Sequence, residues 1–438
     1  MLERNSKHAY ANTPASTPAH WMIERITNRA NMAVGWTPST AVDKNFDGDN
    51  LWANISDLGP RVLMDTAKRV SDEAALSAGA TRAPVGSLFF SFKLSVGSVS
   101  FAGVPMFTNE AIAAFWPKQD LDIRFAYYAF PLFILMNAGE NIYGAPILNQ
   151  TRLSQTRVAF PPTSEQSAIA NYLDRETAQI DAFIAKNDEL ISLLTERRRA
   201  TVLNAVTKGI EEKAARHDSG AEWLGAVPVH WSVLPLKASV RSSKNGTWGE
   251  DPDGGANDVR CVRVADFDRP QQRIHDKNYT KRKVRTTDRL GRELRSGNLL
   301  LEKSGGGEKS PVGFVVLYDG NEPAVCSNFI ARLDLAEGMD PHFWTYVHGA
   351  MYASRLTERS LKQSTGIQNL DQGQYFSERV AIPPFEEQQC IADHLDVRTG
   401  RIDRAIATAG GANALALERR AALISAAVTG QIDMREQL

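Results

Sequence analysis

The fold is decided by a segment that occurs twice in the chain. Residues 161–210 read PPTSEQSAIANYLDRETAQIDAFIAKNDELISLLTERRRATVLNAVTKGI, and residues 383–432 read PPFEEQQCIADHLDVRTGRIDRAIATAGGANALALERRAALISAAVTGQI. Aligned without a gap at a shift of 222, the copies are identical at about 22 of 50 positions. Solenoid repeats recur after roughly 20–50 residues. A repeat this distant therefore indicates two large homologous halves.

Each copy of the repeat predicts a long helix, because apolar residues recur every three to four positions between charged ones. A helix from Ser164 to Thr207 would be roughly 65 Å long. Such a helix is stable only if its apolar stripe is covered, and we expect the second copy to cover it as an antiparallel partner. The residues predicted to pack the two helices are Ile169, Leu173, Ile180, Ile184, Ile191, Leu194, Ile391, Leu395, Ile402 and Ile406.

The second copy differs from the first in its middle. Gly410 and Gly411 interrupt the helical pattern, and alanines thin the apolar stripe around them. Each glycine costs about 1 kcal/mol relative to alanine in a helix interior. We therefore predict a kink or a break near residue 410, and a sturdier first helix.

The regions before the two helices are predicted to be globular and of mixed α/β type. Each begins with a His-Trp pair, at His20-Trp21 and at His230-Trp231. Short Val- and Phe-rich runs bounded by Gly and Pro predict strands. The predicted strands are 86–92, 96–101, 259–264, 298–302 and 313–318, and the predicted helices are 121–136 and 340–361.

Composition indicates a soluble globular protein. The chain has 438 residues, of which 43% are apolar and 23% charged, enough for two or three domains. Its three cysteines show neither zinc-site spacing nor a disulfide framework, in line with a reducing compartment. Residues 1–20 lack a signal-peptide pattern, and the longest apolar run, 125–136, is too short to span a bilayer. We predict a cytoplasmic protein.

Basic residues cluster between positions 277 and 295, although the whole chain has a formal net charge of −1. This stretch contains eight basic residues and only two acidic ones, Asp288 and Glu293, which gives a local net charge of +6. Such a cluster is either a solvated face or a nucleic-acid-binding surface. The eight residues are Lys277, Lys281, Arg282, Lys283, Arg285, Arg289, Arg292 and Arg295.

Several catalytic motifs are absent from the sequence. There is no HExxH, CxxC or GxSxG pattern. In the stretch GGGEKS at 305–310, Glu308 stands where a phosphate-binding loop requires glycine before lysine, so we predict a strand-to-strand turn. The segment IPPF at 382–385 resembles the NPPF loop of amino-methyltransferases. Ile382 has no hydrogen-bond acceptor in place of Asn, and Phe160 takes that place in the first copy.

The repeated pattern PPxxEQxxIAxxLDxxTxxID, followed by a long helix that ends in ERR and AVT, resembles the specificity subunits of Type I restriction-modification systems. The pattern occurs twice in the expected order, and the resemblance covers nearly the whole chain apart from residues 1–20. Further segments that resemble this family are 35–38 (GWTP), 52–58 (WANISDL), 219–231 (SGAEWLGAVPVHW), 245–252 (NGTWGEDP), 299–304 and 363–370 (QSTGIQNL).

The resemblance implies two homologous target-recognition domains, each followed by a long helix, with the helices packed as an antiparallel coiled coil of pseudo-twofold symmetry. The implied segments are a flexible arm at 1–20, domain 1 at 21–160, helical spacer 1 at 161–212, a linker and domain entry at 213–231, domain 2 at 232–382, and helical spacer 2 at 383–438.

The function implied by the resemblance is non-catalytic DNA recognition. Each domain would read one half of a bipartite target in double-stranded DNA, while the helices set the gap and dock two methyltransferase subunits, joined by restriction/translocase subunits. The chain itself would hold no metal or cofactor, and S-adenosylmethionine, ATP and Mg would be bound by the partner subunits.

The resemblance also suggests which residues contact DNA. Arginines of the 277–295 cluster are expected to contact guanine edges, and its lysines phosphates. In the first half we expect Lys93 and Thr37 to take part. Glu165-Gln166 and Glu387-Gln388 are predicted to hold the helix starts rather than to read bases. The tryptophans predicted to lie in cores or domain junctions are Trp21, Trp52, Trp223, Trp231 and Trp248.

Two other classes of function remain open at this stage. A single-chain methyltransferase or nuclease is disfavoured by the missing Asn/Asp-Pro-Pro-aromatic loop. A coiled-coil scaffold that never touches DNA would explain the helices but leaves the basic cluster without a role. Loss of affinity for duplex DNA with rising salt distinguishes a DNA-binding protein from such a scaffold.

Overall fold

The computed structural model describes residues 17–140, 146–211, 213–275, 279–307, 310–364 and 367–434. The chain forms two compact units. Unit 1 contains Met1–Asn187 together with Gly411–Leu438, and unit 2 contains Asp188–Gly410. Each unit therefore combines one globular domain with the first part of its own long helix and the last part of the other helix. The sequence repeat predicted the two domains but not this exchange of helix ends.

Strands β1 to β12 and helices α1 to α5 lie between Met22 and Lys208. The strands are β1 (Met22–Arg25), β2 (Ala30–Val34), β3 (Asn50–Ala53), β4 (Val62–Leu63), β5 (Lys68–Val70), β6 (Leu88–Ser91), β7 (Val99–Ala102), β8 (Phe107–Thr108), β9 (Ile112–Pro117), β10 (Gly139–Glu140), β11 (Pro146–Ile147) and β12 (Arg157–Phe160). The helices are α1 (Ile26–Arg29), α2 (Asp72–Ser77), α3 (Ile123–Met136), α4 (Gln150–Gln155) and α5 (Thr163–Lys208).

Strands β13 to β27 and helices α6 to α9 follow in the rest of the chain. The strands are β13 (Arg216–Asp218), β14 (Ala226–Pro228), β15 (Ser232–Pro235), β16 (Val240–Asn245), β17 (Asp258–Val262), β18 (Phe267–Asp268), β19 (Arg273–Ile274), β20 (Thr280–Lys283), β21 (Asn298–Glu302), β22 (Val315–Tyr318), β23 (Ala324–Cys326), β24 (Ile330–Leu335), β25 (Leu361–Ser364), β26 (Ile367–Leu370) and β27 (Arg379–Ile382). The helices are α6 (Thr286–Arg289), α7 (Pro341–Ala353), α8 (Gln372–Ser377) and α9 (Phe385–Val428).

The two globular domains share a strand topology, except that β4 extends the main sheet of unit 1 only. In unit 1 a sheet of order β2-β9-β6-β7-β4 lies beside a smaller one of order β5-β3-β8, and in unit 2 the orders are β16-β24-β21-β22 and β20-β17-β23. Helices α3 and α7 contribute buried aromatic residues to the two main cores. The mixed α/β prediction is confirmed, and each predicted strand and helix of the domains overlaps an observed element. The helix predicted over 340–361 ends at Ala353, and a short 3-10 helix follows at Leu356–Ser360. The GGGEKS stretch lies in the connection from β21 to β22, although Glu308 and Lys309 are outside the described residues.

Each domain closes on itself immediately before its long helix. Strand β1 pairs antiparallel with β12, and β15 pairs antiparallel with β27. The registers place Met22 opposite Phe160 and Ser232 opposite Ile382. The His-Trp pair that opens each domain therefore lies next to the Pro-Pro pair that precedes the helix. This closure positions the repeated motif.

Both long helices extend as predicted, but the second is not broken. Helix α5 covers Thr163–Lys208, 46 residues and about 70 Å at 1.5 Å per residue. Helix α9 runs from Phe385 to Val428 and passes through Gly410 and Gly411 without interruption, so the predicted break is wrong. The glycine penalty is small beside the packing and ion pairs that hold the helix on either side.

The helices pack antiparallel. In unit 1, Arg420 Nε lies 2.9 Å from Asp181 Oδ1, and Asn187 Nδ2 donates to Asn413 Oδ1 at 3.0 Å, so advancing along α5 means retreating along α9. In unit 2, Arg198 Nε lies 2.8 Å from Asp403 Oδ1. Charge pairs and amides thus join the helices within each unit.

The residues predicted to pack the helices fall into two groups. Ile169 and Leu173 are fully buried in the unit 1 core, which also contains Val428 from the end of α9. Ile391 and Leu395 are equally buried in the unit 2 core with the end of α5. The remaining residues are half-buried: Ile180, Ile184, Ile191, Leu194, Ile402 and Ile406.

Two predicted segments are more ordered than expected. The predicted arm does not reach His20, because His20 Nε2 forms a hydrogen bond with Glu165 Oε2 at 2.9 Å; residues 1–16 lie outside the described residues. The segment predicted as a linker contains the β13–β14 hairpin, and its Leu224 and Val227 are buried in the unit 2 core. Among the described residues, no helix combines the length and hydropathy needed to cross a membrane.

Candidate nucleic-acid interface

The start of helix α5 is attached to the first domain by two adjacent buried side chains, Glu165 and Gln166. The Glu165 carboxylate accepts a hydrogen bond from Trp21 Nε1 at 3.2 Å. Gln166 accepts from the Asp122 backbone N–H at 2.9 Å and donates to the Pro161 carbonyl at 2.9 Å. The EQ of the repeated motif therefore holds together the beginning of the domain, helix α3 and the helix start.

The same arrangement recurs in unit 2. Glu387 accepts from Trp231 Nε1 at 3.0 Å. Gln388 accepts from the Asp340 backbone N–H at 3.0 Å and donates to the Pro383 carbonyl at 2.9 Å. The prediction that these pairs hold the helix starts is confirmed. The Pro-Pro pair has a structural use here, since its first carbonyl accepts the glutamine.

A tyrosine from each domain, on α3 in unit 1 and on α7 in unit 2, forms a second attachment to the long helix. Tyr128 of α3 donates to Asp174 Oδ1 at 2.7 Å. Tyr346 of α7 donates to Asp396 Oδ1 at 2.6 Å. Burial, followed by the hydrogen bond to Asp396, raises the pKa of Tyr346, so this hydroxyl remains a donor at neutral pH. Both domains are thus held on their helices by the same hydrogen bonds.

The basic segment of unit 2 includes β20, which is an edge strand of the smaller sheet. Four of its cations are paired with carboxylates: Arg282 with Asp251, Lys283 with Asp253, Arg285 with Asp288, and Arg289 with Glu293. Arg292 donates to the Asn245 and Asp288 carbonyls. Within the described ranges, Lys281 and Arg295 are exposed and have no carboxylate partner. Lys277 lies outside the described residues.

Trp248 is placed differently from the prediction. Trp21, Trp52 and Trp231 are buried as predicted, whereas Trp248 is 39% exposed, and the Arg282 guanidinium lies 4.7 Å from its ring centroid. It lies in the polar loop that follows strand β16 and belongs to none of the hydrophobic cores of the described residues. Trp248 therefore presents an aromatic ring at the surface, and Arg282, whose side chain is 13% exposed and paired with Asp251, lies against that ring.

In unit 1 the corresponding surface has little positive charge. Strand β5 occupies the place of β20, and residues 68–86, from β5 to the start of β6, carry three basic and two acidic residues. The segment 280–297 carries seven basic and two acidic ones. The candidates Thr37 and Lys93 are both exposed, after β2 and between β6 and β7 respectively. The structure leaves them accessible but does not bring them together with a basic cluster.

A polar groove in unit 2 contains basic residues that the linear cluster did not reveal. Its volume is about 740 Å³, and it lies between β16, the segment from α6 to β21, β24 and the start of α7. Three cations come from outside 277–295: Arg241 and Lys244 on β16, and Arg332 on β24. Only strand pairing brings them to Arg289 and Arg295, so the sequence had no local signal for this site.

The most strongly perturbed titratable groups are buried rather than placed in an open cleft. Burial raises the pKa of the Cys261 and Cys326 thiols to about 12. Burial lowers the pKa of His348 to about 3. These groups stay neutral at physiological pH and belong to the packing of unit 2, so they add no charge to its surface.

The first domain and part of α5 match a family model, the Type I restriction modification DNA specificity domain, over residues 18–191. The chain is 26% identical over 162 residues to the Type I restriction enzyme MjaIX specificity subunit of Methanocaldococcus jannaschii, covering 36% of this chain and 38% of that protein. It is 26% identical over 263 residues to the Type I restriction enzyme StySPI specificity subunit of Salmonella potsdam, covering 60% and 54%. The chain thus spans between a third and about half the length of these relatives.

A solved structure described as the structural basis of complex assembly and conformational transition of the type I R-M system is similar in fold. Its TM-score is 0.64 at 14% identity, and the similarity covers 96% of this chain and all of that one. The resemblance drawn from the repeated motif is therefore confirmed: residues 18–191 match the model of the Type I restriction modification DNA specificity domain, and the chain is similar in sequence to specificity subunits of Type I restriction enzymes.

Proposed function

We propose that this chain is the non-catalytic subunit that selects the DNA sequence in a Type I restriction-modification complex. Each globular domain reads one half of a bipartite target. The observation that carries the proposal is that two domains of closely similar topology are attached to long helices by the same Glu-Gln contacts, yet present different surfaces.

Two recognition modules in one chain improve discrimination between DNA sequences. Each wrong base pair costs about 1–3 kcal/mol, roughly additively for separated positions, so two modules reject far more sequences than one. Half-sites on the same DNA face lie about 34 Å apart per turn, and a helix of about 70 Å is long enough to span such a separation. The helices thereby set the gap.

The helices also have apolar surface for partner subunits. In unit 1 a groove of about 440 Å³ between α5 and α9 is lined by Ile180, Phe183, Ala412, Leu415 and Ala416, beside polar residues. Phe183 is 47% and Leu415 68% exposed. Uncovered apolar side chains of this size on otherwise polar helices are typical of protein interaction surfaces. We assign this groove to one methyltransferase subunit.

A second docking surface is supported in unit 2. Leu190 and Leu193 on α5 and Val397 on α9 are 45%, 57% and 55% exposed. One docking surface per unit accommodates two methyltransferase subunits. These partners would bind S-adenosylmethionine, and restriction/translocase subunits would bind ATP and Mg, so that this chain needs no cofactor of its own. The complex would act on DNA in the cytoplasm.

The test of this function is exchange of a recognition domain. Residues 232–382 are replaced by the corresponding domain of a relative, and the methylated sequence is mapped in a host that carries the partner subunits. We expect one half of the target to change and the other half and the gap to remain. Exchange of 21–160 is the matched control and should change only the other half. A change in both halves from either exchange would refute the modular reading.

Docking is tested separately on the helices. Phe183→Lys and Leu415→Lys place charges in the groove of unit 1 and should reduce copurification of the methyltransferase subunit, because a buried ammonium group would be left unpaired. Ala185→Lys adds the same charge at an exposed position about 200° around the helix from Phe183 and serves as the control. Equal partner recovery for all three variants would remove this groove from the interface.

A further inference from the structure

The basic groove of unit 2 carries more positive charge than its lining neutralises. Five cations line it, Arg241, Lys244, Arg289, Arg295 and Arg332, against the two carboxylates of Glu293 and Asp334. In the part of the chain that the structure describes, no carboxylate lies within ion-pair distance of Arg241, Lys244 or Arg295, and all three are exposed. The groove therefore has a net charge of +3 and free cationic side chains at its rim.

Asp334 is paired with side chains of the groove wall. It forms an ion pair with Arg332 at 2.7 Å and accepts a hydrogen bond from Asn298 Nδ2 at 2.9 Å. Burial opposes ionisation, but the hydrogen bonds from Ser242 and Arg332 outweigh it and lower the pKa of Asp334. Asp334 thus orients Arg332 and is also attracted by the charge of Arg241, so Lys244 and Arg295 are the rim cations that it leaves uncompensated.

Arg332 is a built part of the groove. Its residue is 8% exposed, and its Nη1 donates to the Glu293 carbonyl at 2.6 Å. Its Nε is buried and has no hydrogen-bond partner, and the same is true of Arg289 Nε. A buried donor left without an acceptor costs about 1–3 kcal/mol. An anion with several oxygens offers acceptors of the kind that these guanidinium groups lack.

Strand register places two of these cations directly opposite each other. In the β16–β24 ladder, Lys244 is the partner of Arg332. Like charges in directly opposed positions are destabilising. In the corresponding β2–β9 ladder of unit 1, the paired residues are Ala33 and Ala114. The second domain thus has two opposed cations where the first has two alanines, which is expected if an anion binds between them.

A glycine keeps space beside Lys244. Gly291 has a φ of +74°, and a Cβ atom there would lie 2.9 Å from Lys244 Nζ. The backbone conformation favours glycine at this position, and the flexible end of Lys244 lies in the space beside it.

We propose that this groove binds a phosphate group of the DNA backbone. The proposal rests on the proposed function, and it assigns to unit 2 an anchoring site apart from the exposed ring of Trp248. Phosphate contacts position a protein on the duplex without reading its sequence. The groove ends at Met339 and Pro341, next to the Gln388 contact at the helix start, so it would orient the second domain from the side of its helix.

The test compares charge removal inside and outside the groove in the full-length chain. Lys244→Ala with Arg295→Ala removes two exposed groove cations and leaves the buried arginines in place. Lys237→Ala with Arg359→Ala removes two exposed cations elsewhere in unit 2 as a matched control. Binding to a duplex with the mapped target and to an unrelated duplex is measured between 0.05 and 0.3 M salt, the range over which phosphate contacts change affinity by about 10³ or more.

For the groove variant we expect the slope of log affinity against log salt to decrease by about 0.9 for each phosphate that is no longer neutralised, roughly tenfold in affinity at 0.1 M salt. Both duplexes should weaken equally, and Lys244→Arg should retain binding. An unchanged slope, or weakening on the target duplex alone, would overturn the phosphate assignment. Should the unaltered chain show no salt-dependent binding, the proposed function itself would fail, which is a different result. Tight binding of sodium tripolyphosphate in the absence of DNA, lost in the groove variant, would show a free-anion site and would overturn the assignment to the DNA backbone.

Discussion

The two globular domains have closely similar topologies and the same attachments but different surfaces. Their strands pair in the same order, and each is held to its helix by a tryptophan, a Glu-Gln pair and a tyrosine. The segment that begins with β5 has a net charge of +1 over 68–86, whereas the one that begins with β20 has +5 over 280–297. Buried hydrogen bonds preserve the framework, and exposed side chains are free to differ. A protein that reads two unlike half-sites needs this division.

The largest expected effect concerns the shared attachments. Gln388→Leu leaves the Asp340 N–H and the Trp344 indole N–H buried without an acceptor, so we expect a loss of about 3 kcal/mol in the free energy of unfolding. Gln166→Leu should cost about 1 kcal/mol less, because Ala126 stands at the helical position of Trp344 and has no side-chain donor. Urea denaturation followed by tryptophan fluorescence measures both.

Gln389→Leu is the control for this pair, since Gln389 is exposed beside Gln388. We expect it to change stability by no more than about 0.5 kcal/mol. A result in which Gln388→Leu is as mild as Gln389→Leu would show that the repeated motif does not hold the domain on its helix.

The difference in surface charge gives the next effect. Removing three cations from the second domain, by Lys281→Ala, Arg285→Ala and Arg292→Ala, should lower affinity for duplex DNA at 0.1 M salt, by roughly tenfold for each phosphate that the domain no longer neutralises. The same number removed from the first domain, by Lys68→Ala, Arg69→Ala and Arg82→Ala, should have a smaller effect because that surface lacks a concentrated field. Salt-dependent binding isotherms measure both, and equal reductions in affinity would contradict the asymmetry.

A smaller effect separates the two long helices. Gly410 and Gly411 occupy the positions of Asp188 and Glu189 in the first copy, and a Cβ atom at either glycine meets no neighbour within 4 Å. Gly410→Ala and Gly411→Ala should each stabilise the protein by about 1 kcal/mol, because alanine has less backbone freedom to lose. Thermal unfolding measures the gain. Destabilisation would indicate that the helix needs glycine at this point.

The smallest expected effect is a pH dependence of the first domain. Burial by itself raises the pKa of Asp122. The hydrogen bonds from Arg124 and Ser167 outweigh this effect and lower the pKa below its ordinary value of 3.8. The unfolded chain therefore binds the proton more readily, and this contribution to stability is present above about pH 4 and is lost as the pH falls through the lowered pKa. Asp122→Asn should cost stability at pH 7 and progressively less from pH 4 to pH 3. Ser167→Ala should show part of this change in urea midpoints, and a cost independent of pH would contradict the assignment.

Much of the architecture could be predicted because its signals are local. Residues 164–207 carry a complete apolar periodicity, and the structure extends that helix by only one residue at each end. Glu165 and Gln166 follow a Pro-Pro pair, which marks a helix start. Gly410 and Gly411 misled the prediction, since a local propensity of about 1 kcal/mol per residue is smaller than the packing that surrounds the helix.

The candidate site was only partly predictable. The basic residues of 280–295 stand together in the chain, but four of them are paired with acidic residues, two of which, Asp251 and Asp253, come from another loop. Arg241, Lys244 and Arg332 are far apart in sequence and meet only through the pairing of β16 with β24. Trp248 lies in a polar loop, so its exposure depended on what covers that loop.

The sequence by itself determined that there are two homologous domains, where each long helix begins and where the first one ends, and which side chains of the repeated motif attach helix to domain. These features follow from apolar periodicity and from a motif that occurs twice. The tertiary structure alone decided that each unit takes the end of the other unit's helix, which cations remain free, and that opposed cations line a groove in the second domain. Such features depend on which distant segments become neighbours, and burial and strand register establish that only when the chain folds.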